Sequence, residues 1–206
     1  VAKVRDYKMI IHKSDKDSVQ KTAEVLKKGG ICILPTDTVY GFSGLVATKK
    51  LLPQSSTDAE IRKIKGRSET KPLICLIAKP QDLALYTNDV IPQKLLAKWP
   101  GALTIIVHTK EDTPLAEQAK LPTIAFRCPG DQWSRQVIEE VGGPIYSTSV
   151  NRSGQSVLEE EGAIVEEFEK EVDLIVNDGD KKGALPSTLV SLENGQVKII
   201  RQGSVK

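Results

Sequence analysis

The chain has 206 residues, of which 39% are hydrophobic and 27% charged, the composition of an ordinary soluble globular protein. Its 29 basic and 27 acidic residues leave a net charge of +2, which is too small to make nucleic-acid binding the default function. This length predicts one domain with a substantial core and room for an internal ligand pocket.

No apolar stretch approaches the about eighteen residues that a membrane span needs, and no secretory leader is evident. We therefore expect a cytoplasmic protein that does not enter a membrane. Two of the three cysteines, Cys32 and Cys75, lie inside apolar runs, which predicts small buried side chains. With Cys128 as the third, the spacing favours neither a disulfide framework nor a metal site.

The N-terminal part of the chain predicts a helix followed directly by a buried strand. The helix runs from Ser14 to Lys28, with Ser14 as N-cap and Gly29 as the stop. The next run, from Ile31 to Leu34, is continuously apolar and typical of a strand buried on both faces. The polar stretch from Thr36 to Gly41 then leaves the end of this strand, where loops often carry function.

The rest of the chain alternates between strand and helix patterns. Further strands are predicted at Leu73 to Ala78, Leu103 to His108, Thr123 to Cys128, Ile145 to Ser149, Leu174 to Asn177, Thr188 to Leu192 and Val197 to Arg201. Further helices are predicted at Asp58 to Lys65, Pro80 to Tyr86, Pro92 to Lys98, Asp131 to Val141 and Ala163 to Glu171. This mixture indicates a single α/β or α+β domain built on a mixed sheet.

Several chemistries lack their motifs. There is no P-loop, no G-x-G-x-x-G, no C-x-x-C and no H-E-x-x-H. The histidines are His12 and His108 only, so a Ser/His/Asp triad would need His108, which is more simply a histidine at the margin of a strand. No metal ligands are predicted.

Small polar side chains follow one predicted strand. In an extended segment Ser147, Ser149 and Asn151 share a face, because side chains alternate with a period of two. Such a row of donors and acceptors suits a polar ligand, although an S-x-N segment also commonly forms a turn.

Cationic side chains occupy comparable positions. Lys65 and Arg67, with Lys71 nearby, could bracket a phosphate or carboxylate, or simply lie on the surface. Arg127 and Arg201 each end an apolar run, where each guanidinium must either reach solvent or meet an anion.

The ordered set of polar segments resembles that of the YrdC-like family. The segments are Pro35-Thr36-Asp37-Thr38-Val39-Tyr40-Gly41, Lys65-x-Arg67, Pro100-Gly101-Ala102-Leu103-Thr104, Arg127-x-Pro129, Ser147-Thr148-Ser149-x-Asn151-x-Ser153-Gly154, Pro186-Ser187-Thr188 and Arg201-x-Gly203. The resemblance implies one YrdC-like domain over residues 8–203, after an N-terminal extension of residues 1–7. It implies an α/β fold, with a twisted mixed β-sheet flanked by helices around a basic concave pocket.

The resemblance further implies L-threonylcarbamoyladenylate synthase activity, a nucleotidyl transfer. L-threonine, bicarbonate and ATP, with Mg²⁺ accompanying ATP, would give threonylcarbamoyl-AMP and pyrophosphate. A downstream tRNA-modifying transferase complex would pass the product to tRNA as threonylcarbamoyladenosine. This chemistry needs positioned cations rather than a protein nucleophile.

The resemblance also implies roles for individual residues. The expected ATP-binding residues are Lys65, Arg67, Lys71, Thr123, Ser149, Asn151 and Arg201, and catalysis is expected of Lys65, Arg67, Ser149 and Asn151. The expected threonine-binding residues are Thr36, Arg127, Ser147 and Ser187, with Arg127 gripping the carboxylate. Thr36 and Ser187 could alternatively only cap turns.

Two other functions are compatible with the sequence. One is a non-catalytic YrdC-like or YciO-like protein that binds tRNA or double-stranded RNA through the same concavity. The other is a nucleotide- or carbamoyl-handling paralogue with a different acceptor. The resemblance favours the synthase because YciO-like proteins tend to lose the asparagine that stands at Asn151.

Overall fold

The computed structural model describes residues 9–66, 72–193 and 196–205, without the side chains of Gln118 and Glu193. The strands are β1 Met9–His12, β2 Cys32–Leu34, β3 Gly41–Ser43, β4 Ile74–Leu76, β5 Leu103–His108, β6 Thr123–Arg127, β7 Ile145–Ser149, β8 Leu174–Asn177, β9 Thr188–Glu193 and β10 Gln196–Arg201. The α-helices are α1 Ser18–Lys27, α2 Thr57–Lys65, α3 Gln93–Leu96, α4 Gln132–Val141 and α5 Glu161–Phe168, and 3-10 helices occupy Pro80–Leu85 and Glu117–Ala119.

All these strands join one mixed sheet in the order β1-β8-β2-β3-β7-β4-β6-β5-β9-β10. The sheet contains parallel pairs, such as β1 with β8 and β4 with β6, and antiparallel pairs, such as β3 with β7. The prediction of a mixed α/β sheet is therefore confirmed.

The N-terminal region differs from the prediction. Helix α1 begins at Ser18, with Asp17 at the N-cap position, so Ser14 is not the cap. The Ser14 hydroxyl instead lies 2.7 Å from Nδ1 of His12. Strands β1 and β3 were not predicted, because β1 alternates weakly and β3 contains only Gly41, Phe42 and Ser43.

Helices α1 and α4 cover part of one face of the sheet, which we call the α1/α4 face. Its core joins Leu26 of α1 and Val137 of α4 to Leu76 and Ile145 of the paired strands β4 and β7. On the opposite face α5 packs against β3, where the Phe42 and Phe168 rings meet edge to face with centroids 4.9 Å apart. Apolar burial on both faces holds the central strands in register.

The cysteines behave as predicted. Cys32, Cys75 and Cys128 are buried and free, and burial raises the pKa of the Cys75 thiol to about 12. Within residues 9–66, 72–193 and 196–205, no helix has the length and apolar character needed to cross a membrane.

Candidate active site

A cavity of about 230 Å³ lies on the α1/α4 face of the sheet, beside the area that the helices cover. The strand register explains its position, because Gly41 pairs with Ser149, Ser147 with Ile74, and Ile74 with Ala125, which places these residues on one face. The polar lining consists of Thr36, Thr38, Tyr40, Arg127, Ser147, Thr148, Ser149, Ser187 and Arg201. The cavity can therefore surround a polar, anionic ligand.

Close approach of β3 and β7 forms the base of the cavity. A Cβ atom on Gly41 would lie only 2.7 Å from Oγ of Ser147, so any other residue would push this hydroxyl away. Glycine at position 41 therefore leaves room for the Ser147 hydroxyl, and Ser147 lines the cavity.

Arg127 is the most deeply buried cation of the cavity, with 5% of the residue exposed. Its Nε donates to the carbonyl of Gly101 at 3.0 Å and its Nη1 to Oγ1 of Thr38 at 2.9 Å, while Nη2 pairs with the Asp37 carboxylate. Burial lowers the pKa of Arg127, and the charge of Asp37 opposes that effect. The guanidinium stays charged because arginine does not lose its proton in proteins.

Thr36 and Ser187, for which turn capping was the alternative role, both line the cavity. Oγ1 of Thr36 donates to the carbonyl of Val39 at 2.8 Å and accepts from the amide of Thr38 at 3.1 Å. Oγ of Ser187 lies 2.7 Å from Oγ1 of Thr104. Thr36 therefore holds its own turn while it lines the cavity, whereas the Ser187 hydroxyl contacts Thr104 of the distant strand β5 and not a turn of its own segment.

Arg201 brings a second positive charge to the cavity from β10. Its Nη2 donates to the carbonyl of Ser187 at 2.8 Å, and among the described residues no carboxylate pairs with it. Burial and, secondarily, the charge of Arg127 lower the pKa of Arg201. Because Arg201 adds its charge to that of Arg127, and only Arg127 has a carboxylate partner within the described part of the chain, the cavity favours anions.

Lys65 is not part of the cavity lining. Only 3% of the residue is exposed. Its Nζ donates to the carbonyl and Oδ1 of Asn151, at 3.0 and 2.9 Å, and to the carbonyl of Ser149. Oγ of Ser149 also donates to Oδ1 of Asn151 at 2.7 Å. The ammonium thus ties together the segment that presents Ser149 to the cavity, and direct contact of Lys65 with ATP stays a prediction.

The other predicted site residues are placed differently. Thr123 is exposed at the start of β6, opposite His108, and is outside the cavity lining. Arg67 and Lys71 lie outside the described residues. The structure therefore gathers six predicted residues at the cavity: Thr36, Arg127, Ser147, Ser149, Ser187 and Arg201.

Asp37, Thr38 and Tyr40 at this site had no predicted role. All three belong to the polar stretch that leaves β2, and that position was the available signal. Oη of Tyr40 donates to the carbonyl of Gly179 at 2.9 Å and accepts from the amide of Asp178 at 2.8 Å, and burial raises its pKa. Tyr40 thereby connects the wall of the cavity to the segment after β8.

Among the described residues, no histidine lines this cavity. His108 is exposed at the end of β5, with Nδ1 3.2 Å from Oδ2 of Asp89, which confirms its place at the sheet margin. In the part of the chain that the structure describes, no three His, Cys, Asp or Glu side chains are grouped to hold a metal ion.

Sequence comparisons match this chain to named proteins. It is 26% identical to the threonylcarbamoyl-AMP synthase of Pyrococcus abyssi, over 91% of this chain and 54% of that protein, so it spans about half of that relative. It is 31% identical to the putative threonylcarbamoyl-AMP synthase of Methanocaldococcus jannaschii, over 95% of this chain and 92% of that protein. It is 27% identical to the uncharacterized protein YciO of Escherichia coli K12, over 90% and 88%.

Solved structures show the same architecture. The Pyrococcus abyssi Sua5 structure complexed with L-threonine superposes with a TM-score of 0.80 at 26% identity, covering 95% of this chain and 57% of that one. Escherichia coli YciO superposes with a TM-score of 0.77 at 24% identity, covering 95% and 94%. The family model Sua5_yciO_yrdC, described as "Telomere recombination", matches residues 24–203. Fold, cavity and comparisons agree that the chain belongs to the Sua5/YciO/YrdC family.

Proposed function

We propose that this chain is an L-threonylcarbamoyladenylate synthase, which joins L-threonine, bicarbonate and ATP into threonylcarbamoyl-AMP and pyrophosphate. The observation that carries the proposal is the pair of arginines at one hydroxyl-lined cavity, of which Arg127 is fixed by Asp37 and Arg201 has no carboxylate partner among the described residues. The synthase homologues and the threonine-bound Sua5 structure support the same assignment.

Arg127 would bind the carboxylate of threonine. Three of its five N–H groups are engaged by Gly101, Thr38 and Asp37, which leaves two for a ligand. Two N–H groups match the two oxygens of one carboxylate. The hydroxyls of Thr36, Ser147 and Ser187 border the same space and would orient the rest of the amino acid.

Arg201 and Ser149 would bind the phosphates of ATP. The family resemblance adds Arg67, Lys71 and, outside the cavity lining, Thr123 as ATP-binding residues. Mg²⁺ would arrive with ATP as the counter-ion of its phosphates. The described residues group no acidic side chains for it, so we assign it no protein ligands.

The reaction needs positioning and charge neutralisation. The threonine amine attacks the carbon of bicarbonate, water leaves, and a carbamate forms. A carbamate oxygen then attacks the α-phosphorus, and the bond to the bridging oxygen of the β-phosphate breaks, which releases pyrophosphate. The threonine carboxylate, the carbamate and the ATP phosphates all carry negative charge, and the guanidinium groups of Arg127 and Arg201 would offset it.

The product would be passed to tRNA by a separate tRNA-modifying transferase complex in the cytoplasm, and tRNA itself would not need to enter this cavity.

The decisive experiment is pyrophosphate release from ATP with Mg²⁺ and bicarbonate, with and without L-threonine, and with L-serine as the control amino acid. Threonine-dependent release is expected. Arg201→Ala should raise the KM for ATP about tenfold or more, the loss of a charge-assisted contact, and leave the protein folded. ATP binding without threonine-dependent release would favour a YciO-like paralogue. Salt-sensitive RNA binding without turnover would favour an RNA-binding protein.

A further inference from the structure

We propose that Asp37 is the positioning residue of this site, which acts through Arg127 and sets the affinity for the carboxylate of the amino acid. This inference rests on the proposed function, because it assumes that Arg127 receives a carboxylate. Asp37 is not part of the cavity lining and would not touch the ligand itself.

Asp37 joins the two loops that meet behind the cavity. Its Oδ1 pairs with Nη2 of Arg127, and its Oδ2 accepts from the amide of Gly130 at 3.0 Å. Arg127 ends β6 and Gly130 lies just after it, whereas Asp37 lies in the loop after β2. One carboxylate therefore fixes both the guanidinium and the backbone that follows it.

The fit around this carboxylate is tight. A Cβ atom on Gly130 would lie 2.8 Å from Oδ2 of Asp37, so glycine permits the backbone to approach the carboxylate. The Asp37 side chain is 22% exposed and that of Arg127 only 6%, so solvent competes little for the pair.

The charge of Asp37 offsets two unfavourable effects on Arg127. Burial disfavours the charged guanidinium, and Arg201 is a neighbouring like charge, whose own pKa is lowered by Arg127. Without Asp37, the Arg127 guanidinium would move toward solvent, and its two remaining N–H groups would no longer be held in a fixed orientation toward the ligand. Pre-organisation of this kind improves binding because the side chain loses less conformational entropy when the ligand binds.

The first variant is Asp37→Asn. Both partners of the carboxylate are donors, but an amide has one acceptor oxygen and a donor nitrogen, so asparagine cannot satisfy both. We expect the KM for threonine to rise about 10- to 100-fold, the range for a lost charge-assisted bond. The KM for ATP should change less than about twofold.

Two further variants separate positioning from general damage. Gly130→Ala keeps the charge of Asp37 but displaces its side chain, and it should raise the KM for threonine in the same selective way. Asp131→Asn is the matched control, because Asp131 pairs with Lys13 at 2.8 Å and its side chain is similarly enclosed at 15% exposure. It should leave both KM values unchanged.

A spectroscopic readout makes the test independent of activity. In protein labelled with ¹⁵N-arginine, the Nε–H signal of Arg127, assigned with Arg127→Lys, should exchange slowly with solvent, because it donates to the Gly101 carbonyl in a buried place. Asp37→Asn should shift this signal and accelerate its exchange, and Asp131→Asn should not.

The outcomes are distinguishable. A selective rise in the KM for threonine together with a changed Nε–H signal supports the proposal. If the wild-type protein shows no threonine-dependent turnover but Asp37→Asn still frees the Arg127 guanidinium, the positioning role stands and the proposed function fails. An unchanged Nε–H signal, or an unchanged KM for threonine in both Asp37→Asn and Gly130→Ala, overturns the inference.

Discussion

Replacement of Lys65 by methionine tests whether this lysine stabilises the segment that contains Ser149 and Asn151. Methionine has a similar length and keeps the apolar stem of Lys65 buried beside the Phe42 ring, over which the ammonium lies 5.4 Å from the centroid. The change removes the donor from the carbonyls of Ser149 and Asn151, whereas Oδ1 of Asn151 keeps the Ser149 hydroxyl as a donor.

The magnitude follows from these contacts. Each buried oxygen that loses its donor costs about 1–3 kcal/mol, and the removal of a buried charge returns part of its desolvation cost. We therefore expect the free energy of unfolding to fall by about 2–4 kcal/mol, measured by urea denaturation. Lys63→Met on the same helix is the matched control. Because Lys63 is exposed, this variant should change stability by less than about 0.5 kcal/mol.

The opposite result is equally informative. A residue whose main role is to contact ATP can be replaced with little loss of stability, or even with a gain. If Lys65→Met unfolds within about 0.5 kcal/mol of the wild-type protein and only the affinity for ATP falls, the support role is refuted and direct contact is favoured.

Three further outcomes are expected. Gly41→Ala should raise the KM for threonine, because its Cβ would meet Oγ of Ser147 at 2.7 Å, and addition of Ser147→Gly should restore the stability lost but not the KM. Burial acts to raise the pKa of Asp131, but hydrogen bonds from Lys13 and Ser134 outweigh it and hold this pKa below its usual value. The resulting stabilisation is present above about pH 4 and lost as the pH falls through the folded-state pKa, so Asp131→Asn should make the unfolding free energy less dependent on pH in acid titrations followed by circular dichroism. A thiol reagent should modify the buried cysteines only in denaturant, since burial raises the pKa of Cys75 to about 12 and that of Cys128 to about 11, and rapid modification of the folded protein would contradict the described burial.

The strands that could be predicted from the sequence are β-type runs bounded by Gly, Pro, Asn or Asp. Strand β5 has the predicted bounds, Leu103–His108, and so does β7, Ile145–Ser149. Strand β3 could not be predicted, because three residues that include glycine and serine carry no periodic signal. It forms because β2 and β7 offer backbone partners on either side of it.

The candidate site likewise has parts that could be predicted from the sequence and parts that could not. Its residues could be proposed from polar side chains at strand ends and from the family resemblance, but their partners could not. The contacts of Lys65 with Asn151 and of Asp37 with Arg127 join segments far apart in the chain. Such contacts depend on the strand order and on depth beneath the surface, neither of which a local pattern encodes.

Neighbouring strands of this sheet come from distant parts of the chain, as when β3 pairs with β7 and β1 with β8. Closing such long loops costs conformational entropy before the contacts can form, so we expect folding on a timescale of roughly milliseconds to seconds. The cavity draws on residues from Thr36 to Arg201, and a growing chain that has not yet produced β9 and β10 lacks one of its walls. A ligand that fills this cavity would therefore stabilise only the completed sheet. Binding of that ligand would then show that folding of the sheet is complete.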